Sequence, residues 1–389
     1  MTHRQETFLN RDFILALLGY FFLFMSVTLF FLFPIFLAQF HPSKSQVGLI
    51  MGIHSITAIC VRPFFGRRID VRGGKKISLI GILLLVALIP WFHLVKNAGI
   101  LPLLLRALTG VGWGIGMTAT MAICSDLAPI ERLAHSIGLI GVAGIISSAL
   151  GPLLAEEIVD RFGFGGVFNA SLIFLVAALI CMCLTREVIK PNHSKSHFSS
   201  DALKKFSGSA ILIISTMPVF HGAVRGAVVN FIALFGKSVS FSRVGPFFLA
   251  FSLAAIITRI GIGDLSDRYG RKKVIFPGAC IISLNLFWIS QVQSYWVFNL
   301  NGFIAGLGQG LIFPALSTYI IDILGRENKG LALSLYLSLF DVGMGIGSPF
   351  FGWISDLYGY RKMYIVAGLL LLVSTIVFTI KAPHPPDHG

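Results

Sequence analysis

The chain has 389 residues, 55% of them hydrophobic and only 12% charged, with a formal net charge of +14 and a mean hydropathy of +0.83. A soluble globular protein carries roughly 25% charged residues, so the composition excludes water as the main solvent of this surface and points to an all-α integral membrane protein. The basic residues sit in short loops between apolar runs and form no basic face with interleaved aromatics, which excludes nucleic-acid binding as the reason for the charge.

A run of about 20 apolar residues crosses the hydrocarbon core as a helix with every backbone group paired internally. Twelve such spans are predicted, at 13–39, 45–66, 76–95, 99–124, 133–158 and 165–185, then at 210–236, 244–264, 273–292, 295–324, 329–354 and 361–380. The first run is too long for the apolar region of a signal peptide and lacks a small-residue cleavage site, so it is expected to stay as a helix. The long polar stretch from Arg186 to Ser209 falls between the sixth and seventh spans. The expected division is therefore a six-helix bundle over 1–185, a linker over 186–209 and a second six-helix bundle over 210–389.

The two halves repeat one another. A cassette running from Arg62 through Gly66, Asp70 and Gly73 to Lys76 recurs from Arg259 through Gly263, Asp267 and Gly270 to Lys273, each pair at an offset of 197. Gly110, Gly112 and Gly114 of the fourth span align with Gly306, Gly308 and Gly310 of the tenth at an offset of 196. The fifth span ends its glycine series in Gly151–Pro152 and the eleventh in Ser348–Pro349. Small residues at these spacings let helix backbones approach, and the prolines release a backbone bond and permit a bend. Lysines and arginines concentrate in the loops that hold both cassettes and in the linker. The positive-inside rule therefore puts the cassettes, the linker and both termini in the cytoplasm, with the protein in the inner membrane.

A charged side chain at the bilayer centre costs about 2.5–3.5 kcal/mol on insertion scales, so each one is a functional candidate. Arg225 lies near the middle of the seventh span with His221 one turn before it on the same face. Asp341 lies near the middle of the eleventh span and could neutralise Arg225 as a structural pair; Arg106 sits in the outer half of the fourth. Arg62 and Arg259 stand within a turn or two of the basic end, where snorkelling accounts for them as well as function does. His54 reads as a hydrogen-bonded packing residue more readily than as a proton carrier. The five cysteines lack metal-ligand spacing, so neither a metal nor another cofactor is expected. Zinc-protease, nucleophile-elbow and phosphate-loop motifs are absent, which argues against an enzyme and leaves an ion gradient as the energy source.

The loop Gly66-Arg-Arg-Ile-Asp70-Val-Arg-Gly73-Gly74-Lys75-Lys76 resembles the signature of the major facilitator superfamily, and Gly263-Asp-Leu-Ser-Asp267-Arg-Tyr-Gly270-Arg271-Lys272-Lys273 matches it more fully. The first copy departs at Ile69, Val71 and Gly74. Arg106-Ala-Leu-Thr-Gly110 resembles the family's fourth-helix motif, and Gly141 to Gly151–Pro152 resembles the fifth-helix motif of the twelve-helix efflux branch, with Ala155 and Glu156 in place of its trailing glycines. The resemblance implies two pseudo-symmetric six-helix bundles working by alternating access.

It further implies that the first, fourth, seventh and tenth helices line the central cavity. Arg106, His221 and Arg225 would then face substrate, with Trp113 and Gln309 as weaker candidates. Two arginines and a histidine against few buried acids suggest an anionic or zwitterionic organic solute held through the guanidinium fork. The efflux resemblance implies proton-coupled export, with Asp341, His221 and His54 as the remaining proton carriers. Solute–proton symport for uptake is the main alternative, and a receptor or scaffold that has lost transport is a further one. Gly66, Asp70, Gly73, Gly263, Asp267, Gly270 and Arg271 would form a conformational latch, with each aspartate accepting from the exposed N–H groups of a neighbouring helix start. The expected partners are the small solute, protons and the lipid bilayer, with the chain acting as a monomer.

Overall fold

The computed structural model describes residues 10–127, 133–186, 208–262, 265–325 and 329–383, and among the described residues the only regular structure is helix, joined by short turns, with no strand. Helix α1 runs Arg11–Thr28 and continues through a tighter turn, Leu29–Leu32, into Phe33–Ala38; α2 is Lys44–Arg72, α3 Gly74–Leu88 and α4 Ile100–Asp126. Helices α5 and α6 share Leu133–Leu184, and α7 is Gly208–Ser238. Helix α8 is Gly245–Ile262, followed by a short helix Leu265–Tyr269; α9 is Arg271–Ile289, α10 Tyr295–Leu324, and α11 and α12 share Lys329–Lys381.

Nine of the described helices are long and apolar enough to cross a bilayer. Two of these hold 52 and 53 residues, a length of about 80 Å if straight, against a hydrocarbon core of about 30 Å. Both are broken by a glycine in the left-handed region, at Gly163 (φ 67°) and Gly359 (φ 81°), so each is two spans. With the shorter apolar helix Gly245–Gly261, the described helices make up the twelve spans expected.

Two local features differ from the predicted spans. The first cassette is helical as far as Arg72, and the chain turns at Gly73 (φ 82°) rather than at Gly66. Gly270 (φ 92°) does the same in the second copy. Arginine is a good helix former, so the cassette extends α2 beyond the apolar run, and only the glycine can adopt the turn without Cβ strain. In α1 the tighter turn ends at Leu32, just before Phe33–Pro34; proline has no N–H to donate to the Phe30 carbonyl, which accepts from the Phe33 N–H instead.

The described residues group into two compact units, one drawn from Met1–Phe36 and Ile56–Lys195, the other from Leu37–Ser55 and Ser196–Gly389. In the first, α1 packs on the α5–α6 pair and α3 on α4. Five phenylalanines, Phe30, Phe33, Phe36, Phe92 and Phe168, build its aromatic core with ring centroids 5.0–6.4 Å apart.

In the second unit α7 lies along α11, with Gly222 against the carbonyl of Phe340 and Gly343 against that of Val219. Asn230 Nδ2 donates to Ser348 Oγ at 2.7 Å across the same seam. The start of α2 belongs to this unit rather than to the rest of its own helix. Gly48 and Gly52 rest on the backbone of Ser348 and Gly345, and Gly352 rests on that of Lys44. The Asp356 carboxylate accepts from the backbone N–H groups of Lys44 (2.7 Å) and Ser45 (2.8 Å) and from Ser45 Oγ (2.7 Å).

Candidate functional site

Each unit presents its own set of polar groups inside its helices. In the first, Arg106 enters from α4 and is 6% exposed. Its guanidinium carbon stands 5.7 Å from the ring centroid of Phe30 and 5.9 Å from that of Phe33. Its Nε is buried without a hydrogen-bond partner, and no ion pair holds it among the described residues. Trp113 follows two turns later on the same helix, half-buried and edge-on to Phe24 at 5.3 Å.

The second unit brings together more. His221 on α7 is 1% exposed; its Nε2 meets Gln309 Oε1 of α10 at 2.8 Å, while its Nδ1 is buried without a partner. The ring of His221 stands edge-on to Phe340 of α11 at 5.2 Å. Arg225, one turn along α7, lies over the Phe251 ring of α8 at 4.3 Å. It forms no ion pair with a described residue, so the structural pairing with Asp341 is not made. A small apolar cleft elsewhere in this unit, lined by Ile211, Ile323 and Leu335 among others, holds none of these polar groups.

Arginine stays protonated at any accessible pH. Burying such a charge without a counter-ion costs several kcal/mol, and a cation–π contact returns about 2 kcal/mol when desolvated. The ring contact offsets only part of that cost.

Of the cassette residues, Gly73 and Gly270 are the two turning glycines already described, and a Cβ on Gly66 would meet nothing within 4 Å. Arg271 Nε donates to Asp322 Oδ2 of α10 at 2.8 Å, and its NH1 donates to Ser266 Oγ at 2.8 Å. At the matching position of the first copy a Cβ on Gly74 would stand 2.8 Å from Ile123 Cγ1 and 3.2 Å from the Ala119 carbonyl. Helix α4 crowds this position, so a side chain there would have to displace Ile123. Lys75 and Lys272 do equivalent work. Lys75 Nζ donates to the carbonyls of Cys183 and Thr185 at the end of α6, and Lys272 Nζ to that of Ala382 at the end of α12. Gly263 and the side chains of Asp70 and Asp267 lie outside the described residues. His54, on α2, is 7% exposed.

Sequence reasoning missed Asp322, Asp356 and the aromatic rings under the arginines. The repeat itself could have found the two aspartates. Asp322 matches Asp126, and Asp356 with Gly359 matches Asp160 with Gly163, all at the offset of 196 already seen in the glycines. The rings had no such signal, because 35 phenylalanines are spread through the chain.

Twelve apolar spans among the described residues, in a chain whose two halves repeat one another, define a multi-pass membrane protein of the duplicated helical type. Residues 16–249 and 219–389 match the Major Facilitator Superfamily, and the chain belongs to that family. It is similar to the staphylopine export protein of Staphylococcus aureus, 23% identical over 362 residues that cover 88% of this chain and 89% of that protein. It is also similar to the multidrug resistance protein MdtG of Enterobacter lignolyticus, 25% identical over 340 residues, 85% of this chain and 80% of that one. Among solved structures, a bacterial homologue of the human lysosomal transporter Spinster superposes with a TM-score of 0.81 at 16% identity, covering 95% of this chain and 96% of that one. The nucleoside transporter NupG superposes at 0.79 and 12%, covering 96% and 100%. The chain is thus a transporter and not an enzyme.

Proposed function

We propose that this protein exports a small organic anion or zwitterion across the inner membrane in exchange for protons. The observation that carries the reading is that Arg106, buried, and Arg225, partly buried, both lie over aromatic rings with no carboxylate partner among the described residues. Each lacks the counter-charge that a carboxylate or phosphate ligand brings, and the guanidinium fork matches either group. His221 and Gln309 add a hydrogen-bonding edge on the same unit as Arg225, and Trp113 offers a ring on the same helix as Arg106. The relatives named for export and multidrug resistance support the outward direction.

The working unit is a monomer made of the two six-helix halves, with both termini and the 186–209 linker in the cytoplasm. Proton carriage falls to Asp341, His221 and His54. Asp70 and Asp267 act as latches at the cytoplasmic side, with Gly66, Gly73, Gly263, Gly270 and Arg271 shaping the loops that hold them.

Everted vesicles carrying an internal acid gradient and a pH-sensitive dye test the reading. A transported organic anion added outside should release protons from the lumen in vesicles with the protein, and should fail to do so with Arg225→Ala. Equal proton release by Arg225→Ala and the unaltered protein would remove the anion assignment. Proton entry into the lumen together with the solute would reverse the direction.

A further inference from the structure

Arg259 does not behave as a residue seeking the membrane surface. It sits three residues from the end of α8, yet its guanidinium folds inward over the ring of Phe313 on α10, at 5.5 Å from the centroid, and its Nε is buried without a partner. Tyr336 of α11 reaches the same ring from another side, with centroids 5.2 Å apart and planes at 72°. The Tyr336 side chain is 0% exposed, its hydroxyl is buried with no hydrogen-bond partner, and it lies within electrostatic reach of both Arg259 and the Asp341 carboxylate. Two unused donors, one of them permanently cationic, thus converge on one aromatic ring.

This cluster is continuous with the set around Arg225. Phe313 contacts Phe340 at 6.2 Å, Tyr336 contacts Phe340 at 6.3 Å, and Phe340 contacts His221 at 5.2 Å. His221 is hydrogen-bonded to Gln309 and is one turn from Arg225. Phe251, under Arg225, and Arg259 are eight residues apart on α8, about 12 Å along its axis. The unit therefore holds two cations at two depths, joined by an aromatic and hydrogen-bonding wall. Buried polar groups are normally satisfied, and the unpartnered Arg259 Nε beside the unpartnered Tyr336 hydroxyl is a donor pair suited to one carboxylate or sulfonate. The ring of Phe313 between them suits a flat apolar body attached to that acid.

We infer that Arg259, Tyr336 and Phe313 form a second binding station for an organic anion with an aromatic body, closer to the basic-loop end than the Arg225 station and connected to it. The inference extends the anion reading proposed above, since the same solute would occupy both stations in turn.

The test uses the full chain in an uncharged detergent, with 2-naphthoate as probe and 2-naphthylmethanol as its neutral counterpart, each titrated by calorimetry. Naphthoate should bind the unaltered protein, and its affinity should fall about 10-fold in Arg259→Gln and measurably in Tyr336→Phe, a variant that keeps the ring packing. Binding of the neutral alcohol should be the same in all of them. Naphthoate affinity unchanged in both variants would overturn the station. Arg225→Gln separates the two ideas. Unchanged binding and proton release there, with weakened binding in Arg259→Gln, would remove the central reading and leave the station standing. Repetition in phosphatidylcholine and phosphatidylglycerol nanodiscs should give equal naphthoate affinity. Loss of binding in phosphatidylglycerol would mean that the cluster holds a lipid headgroup, and would also overturn the proposal.

Discussion

Removing the Asp356 carboxylate should loosen the start of α2 from α11. The carboxylate accepts three hydrogen bonds, at 2.7, 2.8 and 2.7 Å, from two backbone N–H groups and one hydroxyl at the first turn of α2. It is a helix cap supplied from about 310 residues away in sequence. Loss of a capping side chain costs about 1 kcal/mol, within a range of 0.5–2. The charge adds about 0.3–1 kcal/mol through the helix dipole at an exposed site, and Asp356 is exposed. Asp356→Ala should therefore cost about 1–2 kcal/mol, and Asp356→Asn, which keeps an acceptor oxygen, about half of that.

For a unit of this size each kcal/mol lowers the melting temperature by about 2–4 °C, which thermal unfolding in detergent resolves. Ser45→Ala removes one of the three donors. Because the two side chains are in contact, the double variant should lose less than the two single losses combined, by about 0.5 kcal/mol or more. Unchanged melting of Asp356→Ala, or strict additivity with Ser45→Ala, would refute the capping role.

Asp322→Ala should destabilise the protein by about 3 kcal/mol, because it leaves Arg271 unpaired in a site where both side chains are about 90% covered. The double change Arg271→Met with Asp322→Leu should recover most of the loss in the same melting assay. Gly343→Val should be poorly folded, since any Cβ there collides with the Val219 backbone across the α7–α11 seam. By contrast Gly138→Ala, with nothing within 4 Å, should be neutral or stabilising by up to about 1 kcal/mol, as read by detergent-resistant monodispersity and melting. Asp70→Asn and Asp267→Asn should both reduce vesicle transport at normal membrane levels. Asp267→Asn should be the more damaging, because its cassette keeps Arg271 where the other has Gly74; equal or absent effects would sink the latch reading.

The sequence alone settled the class of solvent, the number of spans and the duplication. These depend on composition and on spacing along the chain, and both survive folding unchanged: an apolar run must span the bilayer wherever its neighbours go. The repeat offset also marked Gly73 and Gly270 as positions of one kind, and their shared positive φ is the reason. It could not reveal that Gly66 leaves the helix intact, because glycine tolerates helical and turning backbones alike, and the choice fell to the next glycines.

What only the tertiary structure decided are the partners. Asp341 and Arg225 look like a pair on paper, yet Arg225 turns to the Phe251 ring of α8, a contact that no spacing along α7 predicts. Arg259 reads as a surface-seeking residue by its distance from the helix end, and a single ring on α10 changes that reading. The cap that ties α2 to α11 joins residues on opposite sides of the duplication, so neither copy of the repeat contains it. Backbone pairing inside each helix is local and therefore legible from sequence. The counterpart of a buried charge is set by which helix face arrives opposite it, and only packing determines that.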